Sequence, residues 1–299
     1  MRCCNLQKTE SRQYGPYVYL GLSVIAVSFA SLFVRLTTAP PAITAMYRMV
    51  VTAVLLAPLV RKTLWSSLRS LSFRQKFGLL LSGFFLALHF LFWMTSVFYT
   101  SIASATLLLA FQPIFALIFE RILFRYRIRP SLWAYVAMAI FGTAIIGWHD
   151  LRVGHMVLLG DLLSLVSASA SALYMVAGSG LRKHLSANEY NVSVFFLAAV
   201  ALFVYSLCRG YSFIGLSMKD VSMTLLLVLV PTVFGHAVFN ALLKHLKAST
   251  ISMSIIGEPI VATLLAYVFL HQALSLWWFV GATVLLLSII LFLRDRTTQ

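Results

Sequence analysis

Charge is scarce in this chain, and acid scarcest of all. Only 10% of the 299 residues are charged, and Asp and Glu together number 8. Soluble domains carry about 25% charged residues, so a freely soluble enzyme or binding domain is excluded. Cysteine is also rare. Cys3, Cys4 and Cys208 are too few and too scattered for a disulfide framework or a thiolate metal centre. Cys3 and Cys4 follow the first methionine with no apolar segment before them, so lipoprotein or signal-peptide logic is not expected. Nucleotide-binding motifs and His-Glu-x-x-His are absent from the sequence. Gly178-Ser179-Gly180 might suggest an intramembrane serine protease, but Ala177 breaks the required Gly-x-Ser-Gly pattern. Long polar stretches are missing too, which leaves no room for a soluble domain.

Apolar surface fills that space. The chain is 61% hydrophobic and 14% aromatic, with a mean hydropathy of +0.93. A net charge of +15 and a pI near 10.1 would suit a nucleic-acid binder. The basic residues, however, lie in short gaps between apolar runs, where they set topology beside anionic headgroups. The expected partners are the bilayer and a small-molecule solute, with no nucleic acid, no metal and no cofactor.

The apolar runs predict an all-α integral membrane protein of ten transmembrane helices. They fall near 17–36, 41–60, 77–98, 102–122, 131–148, 157–178, 190–208, 221–242, 249–270 and 275–293. Most approach the length that a hydrocarbon core of about 30 Å requires. Residues 1–16 and 294–299 are polar tails. With the N-terminus inside, three Lys or Arg precede residue 17, five lie in 61–76 and four in 121–129. Two each in 182–183, 244–247 and 294–296 bring the inner face to eighteen. The outer face holds only Arg35, Arg152, Arg209 and Lys219, and Arg48 alone lies within a span. The positive-inside rule then puts both termini in the cytoplasm.

Polar marks recur at a nearly fixed offset. Gln112-Pro113 and Glu258-Pro259 are 146 residues apart, and Ala103-Ser104 and Ala248-Ser249 are 145 apart. His89 and His236 are 147 apart, followed one turn later by Trp93 and Asn240. The chain therefore reads as two five-helix repeats, 17–148 and 157–293. Five is odd, so the second repeat is inverted, an arrangement used by secondary transporters with broken helices at the repeat interface.

The order of these marks resembles the EamA family of the drug/metabolite transporter superfamily over nearly the whole chain. The matching stretches in the first half are Tyr47-Arg48, Ala87-Leu88-His89-Phe90 with Trp93, and Thr100–Ala105 leading to Gln112-Pro113. In the second half they are Gly160-Asp161-Leu162-Leu163, Pro231-Thr232, Gly235-His236, Phe239-Asn240 and Ser254–Pro259. Where family members often carry Gly-Glu at the end of span nine, this chain has Leu270-His271-Gln272. The resemblance implies a ten-span bacterial inner-membrane carrier that exports an amino acid, a related metabolite or a drug. Import or exchange of a metabolite, for example a nucleoside-like cofactor, is the alternative within transport. A membrane-embedded enzyme is the alternative outside it.

The candidate site lies at midplane between the halves. A mid-membrane carboxyl costs several kcal/mol unless paired or wet, so Glu258 is expected to line a water-accessible path and exchange a proton or bind a cationic group. The competing role is a structural hydrogen bond beside Pro259. Gln112 at the equivalent place cannot titrate, which assigns any proton step to the second half. Pro113 and Pro259 are candidate hinges, or static kinks. His89 and His236 are candidate cavity-lining groups, or satisfied interhelical donors. Trp93 offers a flat wall or a lipid contact, and Asn240 a bundle-facing amide. Arg48 is expected to be structural, either snorkelling from the start of span two or pairing inside the bundle. Asp161 is expected to cap the first turn of span six, and Glu120 to pair with the basic run that follows it. The small residues Gly160, Ser164, Ser167, Ser171 and Gly178 are expected to pack span six closely.

Overall fold

The computed structural model describes residues 2–100, 102–147, 155–270 and 276–297. Within hydrocarbon a backbone must satisfy its own N–H and C=O groups, and the helix does so locally. No strand occurs among the described residues. Among the described residues nine helical segments are long and apolar enough to cross a membrane. In chain order these are spans one to four, Gly15–Leu36, Pro41–Val60, Phe73–Tyr99 and Ser104–Phe124; spans six to eight, His155–Leu181, Ala187–Cys208 and Met218–Leu242; and spans nine and ten, Ala248–Phe269 and Leu276–Asp295. Span five, Pro130–Ile146, is apolar but shorter. At 1.5 Å per residue it rises about 25 Å. The first helix continues back to Arg2, through Pro16, so helix occupies a segment whose sequence reads only as a polar tail.

The pairing of spans follows a two-fold exchange of span n with span n+5. Span two packs on span seven and span five on span ten, and the exchange maps each pair onto itself. Span three packs on span six, and its mate, span eight on span one, is also in contact. Two apolar cores result. The larger is built around Met49, Phe90, Met94, Tyr174, Phe195 and Phe239. The smaller joins spans four, five, nine and ten through Leu117, Val136, Met253 and Leu285. Spans five and ten cross so closely that a Cβ on Gly281 would lie 2.7 Å from the Gly142 carbonyl oxygen. Only glycine admits that approach.

Proline breaks three of the spans by one mechanism. It has no N–H, so the carbonyl four residues earlier loses its partner and the helix is interrupted there. Pro113 leaves Leu109 without its donor, and span four is split into Ile102–Leu109 and Gln112–Phe124. Pro259 does the same at Ile255, which splits span nine into Ala248–Ile255 and Glu258–Leu270. In span eight Pro231 deprives Leu227. The regular helix stops at Leu227 and a π-helical stretch, Val228–His236, takes over. The Thr232 hydroxyl donates at 2.6 Å to the Leu227 carbonyl, which has lost its ordinary helical donor to Pro231.

Candidate functional site

The three interrupted spans face one another around a cavity. Its lining includes Arg48, His89, Phe90, Trp93, Gln112, Ser171, His236, Phe239 and Glu258. The cavity measures ≈ 30 Å³, space for about two water molecules. It brings together five of the six residues expected from the repeat marks: Glu258, His89, His236, Trp93 and Gln112. Asn240 does not line it. Its amide donates to Asn191 Oδ1 at 2.9 Å, and Asn191 in turn donates to the Ala237 carbonyl at 3.1 Å, a rung between spans seven and eight.

Gln112 and Glu258 each open the second piece of a broken span, one residue before its proline. The sequence offset thus becomes spatial equivalence at the helix N-termini. Their partners differ. Gln112 Nε2 donates to Ser252 Oγ at 3.1 Å and approaches Met175 Sδ at 3.4 Å. Glu258 is 6% exposed, and its Oε1 has no hydrogen-bond partner.

The two histidines stand with ring centroids 6.0 Å apart. His89 Nδ1 lies 2.9 Å from Ser167 Oγ, and that hydroxyl donates to the His89 carbonyl at 2.9 Å. A serine hydroxyl has one proton. With it committed to the carbonyl, Nδ1 must be the donor, and the His89 tautomer presents Nε2 as an acceptor. His236 Nδ1 lies 3.3 Å from the Tyr174 hydroxyl, and the His236 ring stacks edge-on against Phe90 at 4.9 Å. Trp93 is buried at 4% exposure, not set against lipid, and its Nε1 has no partner.

For Arg48 the structure rules out snorkelling and leaves the bundle-facing alternative. It lies two turns into the helix Pro41–Leu56, is fully buried and cannot snorkel. Its Nε donates to Thr232 Oγ1 at 2.6 Å, and its guanidinium carbon sits 4.3 Å from the centroid of Phe90. Nη1 and Nη2 have no acceptor. Sequence alone could not signal this, because Thr232 reaches Arg48 only where the π-helix turns it inward.

One further expectation is corrected. Asp161 does not cap the first turn of span six, since six helical residues, from His155, precede it. Its carboxylate instead accepts from Thr100 at 2.8 Å and Ser104 at 2.7 Å, tying span six to the start of span four. Glu120, expected to pair with the basic run at the interface, is 2% exposed, and it also ties span four to span nine by accepting from the Ser249 amide and hydroxyl at 3.0 and 2.7 Å. The small-residue stripe does pack span six. Ser164 donates to the Ala105 carbonyl at 2.6 Å, and Gly160 abuts Tyr99 and Thr100. His271 and Gln272, where the sequence departs from the family pattern, lie outside the described residues. Beyond span six, Arg182 donates to the Asn240 carbonyl at 3.0 Å and to that of Leu185. Burial holds its guanidinium below the ordinary arginine value.

A family model described as "EamA-like transporter family" matches residues 15–148 and 158–294, one copy in each half. The chain belongs to this family. As an EamA-like transporter it is a multi-pass membrane protein, and its partners are a small-molecule solute and lipid. It is 25% identical over 198 residues to an "Uncharacterized transporter" of Archaeoglobus fulgidus, covering 66% of this chain and 70% of that one. A second "Uncharacterized transporter", from Clostridium kluyveri, is 21% identical, over 66% of this chain and 65% of that one. To the "Probable amino-acid metabolite efflux pump" of Escherichia coli it is 23% identical over 191 residues, 61% of this chain and 64% of that protein. The EamA-like transporter thus spans about two thirds of the curated relatives it matches. A solved structure described as "Crystal structure of protein" superposes with a TM-score of 0.75, over 94% of this chain and 98% of its own, at 17% identity. At that identity the likeness is one of fold.

Proposed function

We propose that this transporter exports a small organic metabolite, an amino acid or related compound, from the bacterial cytoplasm by alternating access, with Glu258 as the proton-coupling group. The observation that carries the reading is the Glu258 carboxyl. It is buried at the break in span nine, faces the central cavity and leaves Oε1 without a partner. A buried carboxylate without a cation in contact is costly, so the group is suited to alternate between a protonated and a solute- or water-contacting state. Gln112 fills the equivalent place with a group that cannot titrate. The chain has no nucleotide-binding motif, so an ion gradient or the solute's own gradient supplies the driving force. The efflux function named for the Escherichia coli relative supports the direction.

The cavity of ≈ 30 Å³ is far smaller than the several hundred Å³ typical of ligand pockets. Solute entry therefore needs the halves to part. Pro113 and Pro259 are the proposed hinges, because neither break carries a continuous helical hydrogen-bond ladder. The excess of Lys and Arg in alternate connections supports a topology with both termini in the cytoplasm. The test is solute counterflow in proteoliposomes with and without a pH gradient. Wild type is expected to accelerate when protons run against solute. Glu258→Gln is expected to keep counterflow and lose the acceleration. Unchanged pH dependence in that variant removes proton coupling through Glu258, and accumulation in the opposite direction favours import or exchange.

A further inference from the structure

The cavity presents unmatched groups of both signs. Arg48 has five N–H bonds. Nε–H goes to Thr232, and the four on Nη1 and Nη2 have no acceptor. Phe90 lies against the guanidinium carbon and steadies the cation without accepting those protons. The Trp93 indole N–H lines the same cavity and also has no partner. On the acceptor side, Glu258 Oε1 is unmatched. The two charged groups do not neutralise each other. Among the described residues no ion pair joins Arg48 to Glu258.

A guanidinium held in this way is costly unless something completes it. Three devices hold it: a π-helix that aims Thr232, a proline that creates the π-helix, and an aromatic ring packed on its face. Gly235 lets span one close over this region, since a Cβ there would lie 2.4 Å from Val27 Cγ1. Water can solvate the free N–H groups when the site is open, but a water-sized cavity lined by Phe90, Trp93 and Phe239 favours an occupant with its own charge.

We propose that Arg48 is a solute-binding residue that receives the carboxylate of the transported molecule in a forked pair, while Glu258 receives its ammonium group. The site then selects a zwitterion over an organic cation or a simple acid. Nη1 and Nη2 match the two oxygens of a carboxylate, and the Trp93 N–H can donate beside them. Glu258 accepts from the ammonium across the cavity, and the aromatic walls take the solute's side chain. Arg48 also deepens the role of Glu258: a solute that enters as a zwitterion leaves the charge of the site balanced, whereas a bare amine leaves Arg48 unmet. The inference rests on the transport reading above, and its test does not require transport.

The experiment is thermal stabilisation of the detergent-solubilised full chain by two matched ligand series. One is L-phenylalanine, phenethylamine and 3-phenylpropanoate; the other is L-leucine, isopentylamine and 4-methylpentanoate. Each series holds the side chain fixed and removes the carboxylate or the amine. Wild type is expected to bind at least one of the amino acids about tenfold or more tightly than either truncated partner, the ratio that loss of one charged hydrogen-bonding contact gives. Arg48→Gln is expected to bring the amino acid down to the amine. Arg48→Lys, which keeps charge without the fork, is expected to recover only part of the preference. An amine that binds as well as its amino acid, an acid that does so, or no stabilisation by any of the six overturns the proposal. The wild-type series decides the matter even if Arg48→Gln fails to fold. Zwitterion preference without counterflow would sink the transport reading and leave this one standing, and proton-coupled counterflow of a bare amine would do the reverse.

Discussion

Replacing Thr232 with valine removes one hydroxyl and leaves the shape nearly unchanged. That hydroxyl has two tasks. It donates to the Leu227 carbonyl, which Pro231 has stripped of its helical donor, and it accepts from Arg48 Nε. The side chain is fully buried, so no solvent stands in. Losing the interhelical acceptor of a charged donor costs about 1.5–3 kcal/mol. The carbonyl bond, which lies within span eight, adds about 0.6 kcal/mol and at most about 1.7, taking as its bounds the mean and maximum for side-chain hydrogen bonds between membrane helices. Together they predict a loss of about 2–5 kcal/mol. Thr52→Val is the internal control. Its hydroxyl donates to the Arg48 carbonyl within the same helix, a bond whose acceptor is already part of the helical ladder. Its loss should cost well under about 1 kcal/mol. The assay is reversible denaturant unfolding in mixed micelles, run as a double-mutant cycle with Arg48→Met. In the Arg48→Met background the cost of Thr232→Val should fall to the carbonyl share alone. If the two substitutions are additive, Thr232 does not hold Arg48 and the account of the π-helix is wrong.

Gly281→Ala should lower the melting temperature despite the better helix propensity of alanine. The propensity gain is about 1 kcal/mol at most. The new Cβ meets the Gly142 oxygen at 2.7 Å and the Ile146 amide nitrogen at 3.0 Å, both backbone atoms that cannot rotate aside, and overpacking costs about 1–3 kcal/mol. A melting temperature that rises would show that spans five and ten are not in close contact there. Ser167→Ala should leave His89 in its Nδ1–H tautomer, because the Ser167 backbone carbonyl lies 3.2 Å from Nδ1 and still accepts from it; imidazole ¹⁵N shifts that report protonated Nε2 in that variant would refute the assignment. Asp161→Ala should speed amide exchange at the start of span four, around residues 102–106, because the hydroxyls of Thr100 and Ser104 lose their shared acceptor. Protection equal to wild type would show that the carboxylate does not hold that end.

The all-helical membrane fold is legible in the sequence because it follows from a local quantity. Twenty apolar residues in a row can satisfy their backbone in lipid only as a helix, and neighbouring residues suffice to say so. The repeat is legible for a similar reason: Gln112-Pro113 and Glu258-Pro259 mark equivalent helix breaks by their chemistry and their offset. The same local rule, proline stranding the carbonyl four residues back, places the breaks at Leu109 and Ile255. Asp161 does not stand in the first turn of span six because six helical residues, from His155, already precede it.

Partnership across the bundle was decided only in three dimensions. Arg48 and Thr232 are 184 residues apart. Nothing near either one in the chain says that a π-turn will aim the threonine at the arginine and leave four of its N–H bonds facing the cavity. Asn240 carried the same repeat mark as Trp93, yet it turns to Asn191 while Trp93 turns to the cavity, since a one-turn spacing fixes a helix face but not what that face meets. Sequence by itself determined the solvent, the helices and their breaks, because those depend on backbone chemistry within a few residues. Tertiary structure determined which polar groups are satisfied and which are left open, because that depends on distances between side chains far apart in the chain.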